Sequence, residues 1–177
     1  VQLKKKSNEF TYVGFMGDNK DGLTDLIKAI ALTKKTIPEI KLNLIGSGPK
    51  SEIFKLKELV NSYKLNKNVI FFGTKPIEQI PKLLMSSDYL ILVRPFNNTS
   101  NAGFPTKLGE YLCSKRPVII TNCGEVDKYL ENYKSAYFIN YGANYQEISS
   151  TIINAINHSE SEAIGKRGFQ VAKSSFD

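Results

Sequence analysis

Residues 89–120, YLILVRPFNNTSNAGFPTKLGEYLCSKRPVII, open and close on short runs that have no polar face. Tyr89-Leu90-Ile91-Leu92-Val93 and Val118-Ile119-Ile120 are apolar at consecutive positions, so water suits neither side of either segment. Strands of that kind sit inside a parallel sheet covered by helices, because a strand with one wet face alternates instead. Between them lie an irregular stretch, Arg94 to Gly103, and a helix that Pro105 opens, with Leu108, Tyr111 and Leu112 inward and an end near Ser114-Lys115. Strand, helix and strand make a βαβ unit, and these two strands are expected to form the middle of the sheet.

The same alternation continues in both directions. Upstream, Tyr12 to Met16, Leu42 to Ile45 and Val69 to Phe72 read as strands. Helical stripes follow them at Leu23, Leu26, Ile27, Ile30 and Ala31, closed by Pro38; at Ile53, Leu56, Leu59, Val60 and Tyr63; and at Ile77, Ile80, Leu83 and Leu84, with Pro81 in the first turn. Downstream come a short helix at Glu125 to Leu130, a strand at Ala136 to Ile139 and a long polar helical tail. The expected fold class is α/β, a Rossmann-like parallel sheet of about six strands with helices on both faces.

With 177 residues the chain has the length of one domain, and it has neither repeats nor low-complexity segments. Its 41% hydrophobic and 23% charged residues fit a globular protein and exclude disordered and membrane-bundle classes. No apolar run approaches the roughly 20 residues that span a bilayer, and the start lacks the apolar stretch of a signal peptide. Val1 is not an initiator, so the chain is expected to be cut from something longer. Cys113 and Cys123 read as buried free thiols, which points to the reducing cytoplasm. Twenty-four lysines and arginines against 17 acids give a net charge of +7, which favours anionic partners. The lysines are spread over helix faces, so specific binding of nucleic acid is not expected.

In an open parallel sheet ligands bind beyond the carboxyl ends of the strands, so the strand-to-helix loops are where chemistry belongs. Gly46-Ser47-Gly48-Pro49 lacks the third glycine of a dinucleotide fingerprint, and its glycines also suit a plain tight turn. The helix after Gly103-Phe104-Pro105 presents main-chain amides beside Lys107, with Glu110 about two turns in. Amides and an ammonium group suit phosphate oxygens; a carboxylate suits the paired hydroxyls of a ribose. Glu110 also fits a salt-bridged helix residue, and Lys20 a solvated loop. Asp18 to Gly22 misses the calcium-loop pattern, no histidine or cysteine spacing suggests a metal, and His158 reads as a surface residue without a role as base.

The chain resembles the C-terminal, donor-binding half of family-four glycosyltransferases. Gly14, Lys20-Asp21-Gly22-Leu23, Leu42 to Pro49, Phe72-Gly73, Gly103 to Leu112 and Pro117-Val118-Ile119 carry the likeness, in register over residues 10–140. It implies half of a two-domain GT-B enzyme. Residues 1–177 would be the nucleotide-sugar-binding domain, without the N-terminal acceptor domain and inactive alone. The activity implied is transfer of a hexosyl group from a UDP or GDP type donor to a saccharide or lipid-linked acceptor, as in polysaccharide synthesis, with no metal or other cofactor. It also implies a cytoplasmic place, with peripheral contact at the inner face of the membrane.

Residue by residue, the likeness sets Glu110 on the ribose and Lys20 on the diphosphate. Thr106 and Lys107 fall on the phosphate, the base against Gly73, Thr74 and Lys75, and Gly48, Gly103 and Phe104 around the donor. Two positions depart from the family pattern. Ala102 stands where many members carry a second glutamate, so that either Asn101 or Ser100 substitutes or the sugar is held differently. Phe15 stands where many carry an arginine, a charge that Arg94 could supply, though Arg94 also fits a salt-bridged edge residue. A non-catalytic nucleotide- or anion-binding module and a basic RNA-binding domain are the rival readings.

Overall fold

The structure is a computed structural model that describes residues 8–17 and 21–175. Six strands, β1 (Glu9–Phe15), β2 (Lys41–Ser47), β3 (Val69–Gly73), β4 (Tyr89–Leu92), β5 (Val118–Asn122) and β6 (Tyr137–Asn140), form one sheet in the order β3-β2-β1-β4-β5-β6. Every neighbouring pair is parallel. Helices cover both faces, so the expected Rossmann-like α/β fold is present.

The helices are α1 (Leu23–Thr33), α2 (Lys50–Ser62), α3 (Ile80–Ser86), α4 (Asn98–Ala102), α5 (Lys107–Cys113), α6 (Val126–Tyr129), α7 (Tyr145–Asn157) and α8 (Ser161–Ser175). The stripe predicted for α1 buries Leu23, Leu26, Ile27 and Ile30, while Ala31 is only half-buried and Ala29 and Thr33 go inside. The helix ends at Thr33, five residues before Pro38, in a hydrogen-bonded turn at Lys34. In α2 only Leu56 and Val60 are fully buried, because β3 is an edge strand and leaves the helix a narrow seat. Pro81 lies in the first turn of α3, where its missing N–H costs nothing. α1 packs on α2 and α7, and α5 on α8.

Several expectations are corrected. The middle of the sheet is β1 and β4, with β5 one place from the edge. Helices cover β5 as fully as β4, and apolarity on both faces records cover, not rank. The irregular stretch holds α4, whose residues are polar and carry no stripe. The tail is two helices; a capping box between Asn144 and Glu147 starts α7, and the break falls at His158. Cys123 is buried, but Cys113 is exposed at the end of α5. His158 is half-buried, with its Nδ1 2.9 Å from the Tyr137 hydroxyl and its ring edge-on to Tyr133 and Tyr137.

The join between the two central strands positions the site. β1 pairs with β2 along seven residues but with β4 only at Phe10↔Tyr89 and Thr11↔Leu90. Beyond Thr11 the two strands part, and Tyr111 of α5 reaches into the gap. Its hydroxyl accepts from the Val13 N–H (2.7 Å) and donates to the Val13 carbonyl (3.3 Å), satisfying main-chain groups that β4 leaves open. The strand order also reverses here, which is where sheets of this kind hold ligands.

Candidate functional site

Two pockets adjoin at the carboxyl ends of the strands. The larger, about 340 Å³, lies over the ends of β1 (Gly14, Phe15) and β2 (Gly46, Ser47), with Thr74 and Lys75 from the loop after β3 and Lys107 of α5 on its walls. The smaller, about 40 Å³, sits where β1 and β4 part and is lined by Asp21, Leu92, Arg94 and Thr106. Gly14, Phe15 and Lys107 line both. A ligand with a broad end and a compact anionic end would therefore find a matched pair of spaces.

The small pocket is built on one buried ion pair. Arg94 follows β4, and its N–H donates to the Thr121 hydroxyl of β5 (3.0 Å). Its Nη1 lies 3.6 Å from Asp21 Oδ1, with 11% and 5% of the two side chains exposed. The Tyr12 hydroxyl donates to the other carboxylate oxygen at 2.5 Å. Burial first, then the Asp21 charge, push the Tyr12 phenol far above its usual value, so it stays a protonated donor. Gly14 leaves the space this needs: a Cβ there would lie 2.3 Å from the Tyr12 hydroxyl. Burial raises the Cys123 thiol, and the nearby Arg94 charge opposes the shift.

Of the residues singled out from the sequence, Thr74, Lys75 and Lys107 meet on the large pocket, and Arg94, Thr106 and Lys107 on the small one. Thr106 is the N-cap of α5 but its side chain makes no capping bond, which leaves the hydroxyl to the pocket. The helix starts at Lys107, two residues after Pro105, and the Leu108 amide is spent on the Pro105 carbonyl (2.9 Å). Glu110 is in the first turn of α5, not two turns in. Its carboxylate lies 3.5 Å from Lys107 Nζ, with both side chains partly exposed. It borders an apolar groove of about 440 Å³ with Ile77, Ile80 and Cys113, and Ile77 and Ile80 also line the large pocket. Glu110 thus lines neither pocket, and its link to them is the ion pair with Lys107, which lines both.

Gly48, Gly73, Asn101, Gly103 and Phe104 line neither pocket. Gly48 packs on the Met16 carbonyl, where a Cβ would come to 2.4 Å. Gly73, at φ +67, turns the chain so that Thr74 and Lys75 follow over the pocket. Asn101 Oδ1 accepts from the Gly124 N–H (3.4 Å), and Phe104 packs edge-on to Tyr129. Ser100 is buried, and its hydroxyl has no hydrogen-bond partner among the described residues. Lys20 lies outside the described residues. Among those residues no group of three or more His, Cys, Asp or Glu side chains could hold a metal ion, and no helix is long and apolar enough to cross a membrane.

Sequence reasoning missed Tyr12 and Tyr111, which read as core. A signal was present: a tyrosine inside an apolar run brings a hydroxyl that must find a buried partner. Here those partners are Asp21 and the main chain of Val13.

The family model described as "Glycosyl transferases group 1" matches residues 1–170. No curated protein matches the chain. Among solved structures, Anabaena HepE in complex with UDP and glucose superposes with a TM-score of 0.84 at 19% identity, covering 97% of this chain and 45% of that one. S. aureus TarM in complex with fondaparinux, alpha-GlcNAc-glycerol and UDP gives 0.82 at 19% identity, covering 100% and 34%. The C-terminal domain of LpcC, a glycosyl transferase group 1 family protein from Francisella tularensis, gives 0.81 at 22% identity, covering 96% and 86%. The chain thus spans less than half the length of HepE and about a third of TarM.

Proposed function

Because the chain belongs to the group 1 glycosyl transferases, we propose that it is the donor-binding half of a GT-B enzyme that moves a hexosyl group from a nucleoside diphosphate to a saccharide or lipid-linked acceptor. The observation that carries this reading is the pair of adjoining pockets with Lys107 on both. The larger suits base and ribose, beside Thr74 and Lys75; the smaller suits the diphosphate, beside Arg94 and Thr106. UDP in HepE and TarM supports a nucleotide of uridine type.

In the transfer, the bond from the anomeric carbon to the outer phosphate breaks and its electron pair stays on the phosphate oxygen. The acceptor oxygen forms the new bond, and its proton passes to the departing diphosphate oxygen. Charge grows on that diphosphate as its bond breaks, and fixed cations beside it lower the barrier without themselves moving a proton. Lys107 and Lys20 would serve the diphosphate, and Glu110 the ribose hydroxyls, its pair with Lys107 being exposed enough to yield. The acceptor wall would come from an N-terminal domain, so this half alone transfers no sugar. The full protein would work in the cytoplasm, peripherally at the inner membrane face, with no metal cofactor.

Calorimetric titration of UDP, GDP and inorganic pyrophosphate tests this reading. One of the nucleotides should bind about tenfold or more tightly than pyrophosphate. Glu110→Ala should weaken the nucleotide about tenfold, the worth of a hydrogen bond to a charged group, and leave pyrophosphate unchanged. If neither nucleotide outbinds pyrophosphate, the donor-site reading is wrong.

A further inference from the structure

A nearly buried arginine is expected to have its donors satisfied, since each unmade bond of a buried charged group is costly. Arg94 departs from this. Its side chain is 11% exposed, Nη1 faces Asp21 at 3.6 Å, and Nε is buried with no hydrogen-bond partner among the described residues. The guanidinium lines the small pocket between β1 and β4 together with Thr106 and Lys107. Two cationic side chains, Arg94 and Lys107, thus border one compact space, where an oxyanion would meet net positive charge.

The group is also held from behind. Asp21 is 3% exposed and fixed on both sides: the Tyr12 hydroxyl donates to Oδ2 at 2.5 Å, and Arg94 faces Oδ1. The Gly22 N–H donates to the Val93 carbonyl (2.8 Å), which pins the Asp21 loop to the residue before Arg94. Tyr12, Asp21 and Arg94 therefore form one chain of contacts that ends at the pocket. Because Asp21 carries one charge against the one on Arg94, the pair sets orientation while Lys107 adds the net positive charge.

We propose that Arg94 binds the outer phosphate of the donor diphosphate, and that Tyr12 and Asp21 are positioning residues that act through it. This deepens the donor-site reading above and rests on it. The position emptied of arginine at Phe15 is filled, in space, from the neighbouring strand: Phe15 and Arg94 border the same pocket.

The test compares affinities for UDP against UMP, GDP against GMP, and inorganic pyrophosphate, in the 177-residue chain and in Arg94→Gln, Arg94→Lys, Tyr12→Phe and the Arg94→Gln/Tyr12→Phe double variant. The diphosphate-to-monophosphate ratio within one protein cancels any loss of folded fraction. Arg94→Gln should lower that ratio about tenfold, with Arg94→Lys between it and the parent. Tyr12→Phe should lower it about threefold in the parent and not at all beside Arg94→Gln, since a positioning residue has nothing left to position. A ratio unchanged by Arg94→Gln overturns the inference and leaves the donor-site reading standing, as does an equal Tyr12→Phe effect in both backgrounds. Arg94-dependent pyrophosphate binding with no preference for nucleotides supports the anion role and overturns the donor-site reading. If the parent chain binds none of these probes, both fall.

Discussion

Tyr111 carries its hydroxyl between β1 and β4 and bonds both main-chain groups of Val13, a residue 98 positions away. Removing that oxygen with Tyr111→Phe leaves a buried N–H and carbonyl without partners, at a cost of about 1–3 kcal/mol. Urea unfolding should record that loss, whereas Tyr63→Phe on the exposed end of α2 should change stability by less than about 0.5 kcal/mol. Equal effects in the two variants would refute the role given to Tyr111. At this scale the sequence is half legible. Residue type says that a buried tyrosine must bond something; which group it meets is decided by how distant segments pack. Arg94 illustrates the same limit. Of its two sequence readings, a ligand for anions and a salt-bridged residue, the structure shows the ion pair with Asp21, and it sets the same residue on the wall of the small pocket.

Among the elements, α7 shows how a short signal fixes a boundary. The Asn144 side chain accepts from the Glu147 N–H (3.0 Å) and the Glu147 carboxylate accepts from the Asn144 N–H (3.0 Å), so two otherwise open donors are satisfied where the helix starts. Asn144→Ala should cost about 1 kcal/mol and lower the melting temperature by about 2–4 °C, read by circular dichroism. An unchanged melting temperature would show that packing of α7 on α1 alone sets the boundary. The six strands were readable because runs such as Val69 to Phe72 and Leu90 to Leu92 are apolar throughout. Their order in the sheet was not, since hydrophobicity carries no record of which neighbour a strand pairs with. α4 escaped notice because Asn98–Ala102 is held by its Asn97 cap, which accepts from the Ser100 N–H (2.8 Å), and by no apolar stripe.

Taken whole, the molecule buries Tyr12, Tyr111 and Tyr137, and burial raises all three phenols above their ordinary value. In the unfolded chain they lose protons near pH ~10, while in the folded protein they keep them. Above that pH the unfolded state binds fewer protons, so stability falls as pH rises; below it these groups contribute no slope. Urea unfolding from about pH 8 to about pH 11 should show a loss confined to the upper end, with phenolate absorbance appearing as native signal disappears. Stability that is flat or rising across that range would contradict the assignment. The candidate site was legible as a set of loops at one edge, since strand ends converge there whatever their order. Its depth was not, because it depends on β1 and β4 pairing at only two positions. That short seam sets robustness against use. A sequence change that zipped these two strands to their tips would toughen the protein and weld shut the slot between them, so hardiness and an open pocket pull against each other at one place in the sheet.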